Sequence, residues 1–272
     1  MCAISSLIPS CMDSPDADIP WLLGGHMQQE TRRIADLHAH SRGQIFGIGH
    51  GVMGMRTDEA YWLIGPSQAL WLPPYLCHTA RSHGAVRGWS LFIDQARSTM
   101  LPAQPFLVRG TPLLIAQAER LSHCMSDKSW SDIHARLAES FWDEFLALPR
   151  ALVSLPFPTD GRLRRVAEAL SENPADAREQ SDWATEASMS VRSFVRHFSA
   201  ETGMPFTAWR QRLRILNAQE KLARGETVTS VALEVGYESP GAFSAIFRKI
   251  TGYSPAAYMK LCRSNDKNHC LS

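Results

Sequence analysis

The chain has 272 residues, 44% of them hydrophobic and 20% charged, with a formal net charge of +1. That length suits two domains better than one, and no low-complexity segment interrupts it. No apolar run is long enough to span a bilayer, and the start, Met1 to Pro9, lacks the basic opening and apolar core of a secretory signal, so no membrane partner is expected.

Charge divides unevenly. Residues 1–159 carry 12 Lys+Arg against 14 Asp+Glu, whereas residues 160–272 carry 16 against 13. The mildly basic C-terminal part is compatible with a phosphate-contacting module without proving one. The six cysteines, Cys2, Cys11, Cys77, Cys124, Cys262 and Cys270, include no C-x-x-C pair, which indicates neither a zinc ribbon nor a disulfide framework. A reducing cytoplasm is the expected setting.

In chain order, residues 1–20 read as a flexible tail and 21–110 as a small β domain. Gln44–Ile48, Val52–Thr57, Ala60–Ile64, Ala69–Leu72, Cys77–Arg81 and Val86–Ile93 are apolar or alternating. Gly49, Gly51, Asp58, Gly65-Pro66, Pro73-Pro74 and His83-Gly84 punctuate them. Regular short strands with turn signals predict a sandwich or barrel. Its aromatics, Phe46, Tyr61, Trp62, Trp71, Tyr75 and Trp89, are expected mostly in the core. Gly47, Gly49, Gly51 and Gly54 fall among strands with no following helix, so they make no nucleotide fingerprint.

Within this domain His38 and His40, two apart on a strand, face one side together. With His78 and an oxygen ligand from Gln44 they would suit zinc, iron, nickel or copper. The spacing resembles the first cupin motif, H-x-H followed four residues later by an acid, and Gly65…Pro73…His78 resembles the second. Gln44 departs from that pattern, because a glutamate is usual there and its charge is missing. Three readings stay open: a divalent transition metal at His38, His40 and His78, an organic ligand held by these residues, or histidines that only pack.

After Pro112 the apolar period becomes helical. Leu114, Ala118, Leu121 and Met125 mark one helix, and Ile133, Leu137, Phe141 and Phe145, with Trp142 on the flank, mark another from about Ser131 to Leu148. This pair, within 111–150, offers more apolar surface than a short helix needs to bury and is expected to form a homodimer. Residues 151–159, with Pro156 and Pro158, read as a linker. Asp160 then N-caps a helix whose stripe is Leu163, Val166, Ala167 and Leu170.

The C-terminal region, 160–262, contains the same sequence twice, and 263–272 follows as a tail. Phe194, Phe198, Thr202 and Gly203 recur as Phe243, Phe247, Thr251 and Gly252 at a constant offset of 49. A short helix signal upstream, Trp183–Ala187 and Val231–Val235, repeats at an offset of 48, which implies one extra residue in the second turn. Each copy reads as helix, turn, helix. Ser190 and Ser239 serve as N-caps, Pro240 fits the first helical position, and Gly203 and Gly252 supply left-handed stops. The paired phenylalanines, four apart, bury one face with Val191 beside the first pair. Between the copies, Pro205 to Arg224 forms a connecting helix with Phe206, Trp209, Leu213 and Leu216 inward.

These residues resemble the DNA-binding domain of AraC/XylS-type transcription regulators, down to Ala232…Val235-Gly236-Tyr237-Glu238-Ser239…Phe243…Phe247-Arg248…Gly252…Ser254-Pro255…Tyr258. The order of features upstream resembles the cupin-like sensor domain that precedes this half in many such regulators. The resemblance implies an α+β multidomain protein: an N-terminal cupin-like β-barrel, a helical pair, and a C-terminal all-α domain with two helix-turn-helix motifs. It implies a double-stranded DNA operator and a small-molecule effector as partners, with RNA polymerase added if the protein activates.

On the first recognition helix Arg192, Ser193 and Arg196 face away from the phenylalanines, toward base edges. On the second, Ser239, Gly241, Ser244, Arg248 and Lys249 supply groups suited mainly to phosphate. No catalytic constellation stands out. The alternative function is a cupin metalloenzyme with an accessory DNA-binding domain.

Overall fold

The computed structural model describes residues 20–124, 130–151 and 154–263. The tails expected at 1–20 and 263–272, apart from Pro20 and Arg263, and the Met125 end of the first expected helix lie outside them. Two compact units form, one from residues 20–57, 63–124 and 130–151, the other from 58–62 and 154–263. Among the described residues no helix is long and apolar enough to cross a membrane.

Alternating side chains build the first unit as two facing antiparallel sheets. One contains β1 (Leu22–Gln29), β3 (Gly43–His50), β6 (Gln68–Leu72), β8 (Val86–Ile93), β9 (Phe106–Arg109) and β10 (Arg150–Ala151), in the order β1-β8-β3-β6-β9-β10. The other contains β4 (Met53–Arg56), β7 (His78–Ser82) and β2 (Ile34–His38), in the order β4-β7-β2, while β5 (Ala60–Ile64) begins in the second unit. In the register of β3 and β8, Gln44 faces Phe92, Ile45 faces Leu91 and Phe46 faces Ser90. Successive residues therefore point to opposite faces. Ile45, Trp89, Leu91 and Ile93 meet the helices outside, while Gln44, Phe46, Ser90 and Phe92 line the space between the sheets. The Trp89 indole lies so close over Gly47 that a Cβ there would overlap it, which accounts for one of the clustered glycines.

Two helices cover the outer face of the six-stranded sheet. α2 (Pro112–Leu121) starts at Thr111, whose hydroxyl accepts from Leu114 N, and α3 (Asp132–Ala147) packs beside it. Leu114, Ala118, Leu121, Ala138, Phe141, Trp142 and Phe145 are buried in one core with Trp71, Trp89 and Phe106. This corrects the reading of α3 as surplus apolar surface. The sequence shows the stripe but not the sheet of matching aromatics beneath it, and Phe141, Trp142 and Phe145 are consumed there. Ile133, 59% exposed, is left out.

The second unit is helical: α4 (Gly161–Glu172), α5 (Gln180–Glu186), α6 (Val191–Thr202), α7 (Phe206–Ala223), α8 (Val228–Glu234), α9 (Pro240–Thr251) and α10 (Pro255–Arg263). Asp160 caps α4 by accepting from Arg162 N and Leu163 N, and Leu163, Val166, Ala167 and Leu170 are buried. The segment read as a linker is structured from residue 154 onward. β11 (Leu155–Pro156) pairs with Ala60 and Tyr61, Phe157 stacks edge-on against Trp209, and Trp209 Nε1 donates to the Pro156 carbonyl at 2.6 Å. Proline forbids helix interior but permits a short edge strand, so the two prolines end the helical pattern without ending the fold.

The burial of Phe141 yields a stability prediction. Phe141→Ala should cost about 3–5 kcal/mol in chemical denaturation of the first unit. Phe141→Glu should appear in sedimentation as unfolded aggregate, not as a soluble monomer.

Candidate functional site

Between the two sheets of the first unit lies a cavity of about 50 Å³. β1 contributes Met27, β3 contributes Gln44 and Phe46, β4 contributes Met53 and Met55, and β8 contributes Ser90. Against this wall stand His38 at the end of β2, His40 just beyond it, and His78 at the start of β7, with potential ligand atoms all within 4.8 Å of one another. The ring centroids of His38 and His78 are 4.4 Å apart, and those of His40 and His78 are 5.3 Å apart. The structure thus brings together all four residues singled out from the sequence. His38 and His40 were expected on one strand, whereas β2 stops at His38; the chain still delivers both rings to the cavity.

Hydrogen bonds fix how these rings present themselves. His38 Nδ1 lies 2.8 Å from the Asp36 carbonyl, His78 Nδ1 lies 2.9 Å from the Leu76 carbonyl, and His40 Nδ1 lies 2.9 Å from the Arg42 carbonyl. A carbonyl can only accept, so each Nδ1 carries the proton, and a neutral ring then offers Nε2 as a lone pair. His40 Nε2 lies 3.1 Å from the Gln44 amide oxygen, and the Gln44 amide nitrogen lies 2.9 Å from Ser90 Oγ. A neutral His40 is satisfied when that amide is turned, its NH2 toward the ring and its oxygen accepting from Ser90. Gln44 can therefore serve either orientation, whereas a glutamate could only accept. His78 is held neutral: burial lowers its pKa to about 4, the Leu76 bond opposes this, and the nearby His38 and His40 add to the lowering.

The sequence pattern does not mark much of this wall. Met27 and Gln29 sit on β1, whose Gly-Gly and Gln-Gln pairs break the alternating pattern that marks a strand, and Arg33 immediately precedes β2. Of the aromatics, Phe46 lines the cavity, Trp62, Trp71 and Trp89 are core, and Tyr75 is exposed.

In the second unit the two copies superimpose in their chemistry. Ser190 accepts from Ser193 N and Ser239 from Ala242 N, and Gly203 and Gly252 end α6 and α9 at φ of 69° and 81°. Thr202 and Thr251 each donate to the carbonyl of the second phenylalanine of their pair, at 2.7 and 2.8 Å. Phe194, Phe198, Phe243 and Phe247 are fully buried. In the first turn Ser188 has φ of 53° and Met189 N donates to Ala184 O. In the second, Gly236 has φ of 82° and Tyr237 N donates to Ala232 O. The extra residue is Glu238, between that bond and the Ser239 cap.

The outer faces are as follows. Arg192 and Arg196 are exposed and Ser193 is half-buried under its cap, with an Arg196 guanidinium nitrogen 3.1 Å from His197 Nε2. Ser239, Gly241, Arg248 and Lys249 are exposed and Ser244 is half-buried. Val191, expected beside the phenylalanines, is 44% exposed, because the first residue of the helix extends past the core the pair fills. Other arginines are occupied structurally. Arg214 donates to the Pro174 and Gly236 carbonyls at 2.9 and 3.1 Å, and Arg210 donates to those of Arg178 and Asp176.

Two capped helices in tandem, each exposing its second helix, define a DNA-binding helix-turn-helix regulator. Comparison with known proteins agrees: the helix-turn-helix domain family matches residues 183–261. The transcriptional regulator NimR of Escherichia coli is 28% identical over 82% of this chain and 81% of its own length. The arabinose operon regulatory protein of the same organism is 29% identical over 79% of this chain and 78% of its own. The solved DNA-binding domain of AdpA, a global transcriptional factor in complex with a target DNA, is 32% identical over 38% of this chain and 95% of that domain, with a TM-score of 0.37. Residues 183–261 are similar to the DNA-binding half of AraC/XylS-type transcription regulators, and the chain acts as a sequence-specific DNA-binding regulator of transcription. NimR and the arabinose operon protein are regulators, and neither supports the metalloenzyme alternative.

The His78 shift gives a pH prediction for the metal-free protein. Its folded value, about 4, lies below its ordinary value of 6.5, so between these the unfolded chain takes up a proton that the folded one refuses. Stability of the first unit should therefore fall as pH drops from 6.5 to 4, by up to about 3 kcal/mol. Denaturation in chelator across that window should show the slope, and His78→Gln should flatten it.

Proposed function

We propose that the first unit is the sensor of this regulator and that its effector site takes a divalent transition metal at His38, His40 and His78, with Gln44 as an oxygen ligand. The observation that carries this is the shared posture of the three rings. Each donates Nδ1–H to a main-chain carbonyl, the support that ligating histidines characteristically have, and the three rings offer ligand atoms within 4.8 Å of one another. Imidazole donors suit zinc, iron, nickel or copper. A cavity of about 50 Å³ favours an ion with a small companion over a sugar-sized ligand. Bound metal would tie the end of β2, the loop after it and the start of β7 to β3.

Elemental analysis of the purified full chain tests this. About one metal ion per chain is expected, lost on chelation and lost in His78→Ala, with DNA binding by the metal-free protein retained. No metal in the wild type after incubation with Zn2+, Fe2+, Ni2+ or Cu2+ would return these histidines to packing.

In the DNA-binding unit α6 carries the sequence discrimination through Arg192, Ser193 and Arg196, and α9 grips backbone through Ser239, Gly241, Ser244, Arg248 and Lys249. Exposure supports the assignment, and so does the structural occupation of Arg210 and Arg214. The protein works in the cytoplasm as a homodimer, with RNA polymerase as a further partner if it activates. Leu113 and Ile133, exposed on α2 and α3, are the apolar residues left for a dimer contact.

Arg196→Ala should weaken operator binding by about 1–3 kcal/mol and relax preference at one or two base pairs in a base-substitution scan. Arg248→Ala should lower the slope of log affinity against log salt by about one without changing the preferred sequence. Equal mismatch sensitivity in the segments read by α6 and α9 would overturn the division of labour.

A further inference from the structure

The metal cavity carries no charge that could balance a metal ion. Among the described residues lining it there is neither Asp nor Glu, and the charged side chain present is Arg33, half-buried beside β2. The main chain of Arg33 is tied to Ser82 in both directions, since Arg33 N donates to Ser82 Oγ at 2.8 Å and Ser82 N donates to the Arg33 carbonyl at 2.9 Å. This anchors the residue at the cavity wall. Among the described residues its guanidinium forms no ion pair. Gln44, at the position where an acid would complete the charge, is a neutral amide within hydrogen-bond distance of His40 and Ser90.

A divalent ion on three neutral rings and an amide keeps its whole charge, and Arg33 adds another of the same sign. Taking such charge between two apolar sheets costs several kcal/mol per ion unless a counter-charge comes with it. Water supplies that charge only by giving up a proton as metal-bound hydroxide, and the cavity holds little of it: at 10–15 Å³ per site, about 50 Å³ is room for about three to five heavy atoms. That volume fits a carboxylate the size of acetate. Met27, Met53, Met55 and Phe46 form an apolar wall for its carbon end.

We infer that the effector of this regulator is a small carboxylate that enters together with the metal, its oxygen completing the ligand set and its charge answering Arg33. This rests on the metal-sensing reading and adds to it that metal and anion bind cooperatively. Because such coupling is reciprocal, each raises the affinity of the other by the same factor. Gln44 is then the residue that makes the site conditional: with an acid at 44 the metal would need no companion.

The test is a Zn2+ titration of the full chain, read by competition with a chromophoric chelator, in carboxylate-free buffer and again with acetate, chloride or phosphate added. Zn2+ affinity should rise at least tenfold with acetate and less than threefold with chloride or phosphate. Gln44→Glu should bind Zn2+ tightly without acetate and gain nothing from it, and Arg33→Gln should lose most of the acetate enhancement. Tight Zn2+ binding indifferent to acetate would overturn the inference and leave the metal site standing. No Zn2+ binding under any condition would overturn both. Equal enhancement by chloride or phosphate would overturn the carboxylate class.

Discussion

The period-two alternation along β3 and β8 is the constraint on which the first unit depends. It sends Ile45, Trp89 and Leu91 outward onto α2 and α3 and turns Gln44, Phe46, Ser90 and Phe92 inward. A shift of one residue would exchange these sets, exposing an amide and a hydroxyl to the helices and filling the cavity with indole and leucine. The aromatic core outside and the polar site inside are therefore one specification. Burying Phe141 and Trp142 against Trp89 and Trp71 is what holds Gln44 within reach of His40.

In the DNA-binding unit a smaller device does comparable service. Two phenylalanines four residues apart fix which face of α6 and of α9 is inward, and every outward residue follows from that choice. Around the first pair, Phe206 and Trp209 close an edge-on aromatic cluster, with Phe198 rings 5.1 and 5.5 Å from theirs. Around the second, Tyr237 and Tyr258 take the same part at 5.5 and 5.6 Å. Charge alone would have misplaced the nucleic-acid face. Arg210 and Arg214 are spent on carbonyls in the turns that follow α4 and α8, and burial lowers the pKa of both.

Legibility in the sequence tracked how local each cause is. Caps, stops and the paired phenylalanines act within four residues, and all were readable: Ser190, Ser239, Asp160, Gly203 and Gly252 stand where expected. The three histidines could be grouped because two of them share one short stretch. β1 and β9 were not readable, since Gly24-Gly25 and Gln28-Gln29 dilute one and Pro105 crowds the other; pairing with β8 and β6 supplies what their own propensity lacks. The packing of α3 was equally nonlocal, because an apolar stripe states that something is buried without naming the partner. Arg33 and Ser90 escaped notice for the same reason.

Glu238, the single residue by which the second turn exceeds the first, bears on how such a protein can be re-engineered. The hydrogen bond that closes each turn is conserved, yet one bond is followed directly by a serine cap and the other by an added step of backbone. α6 and α9 are consequently launched from their anchors with different phase. They are not interchangeable cassettes. Copying Arg192, Ser193 and Arg196 onto positions 241, 242 and 245 would transplant the letters without the angle at which they are held. A designer seeking a second reading head would have to shorten the turn as well as rewrite the helix.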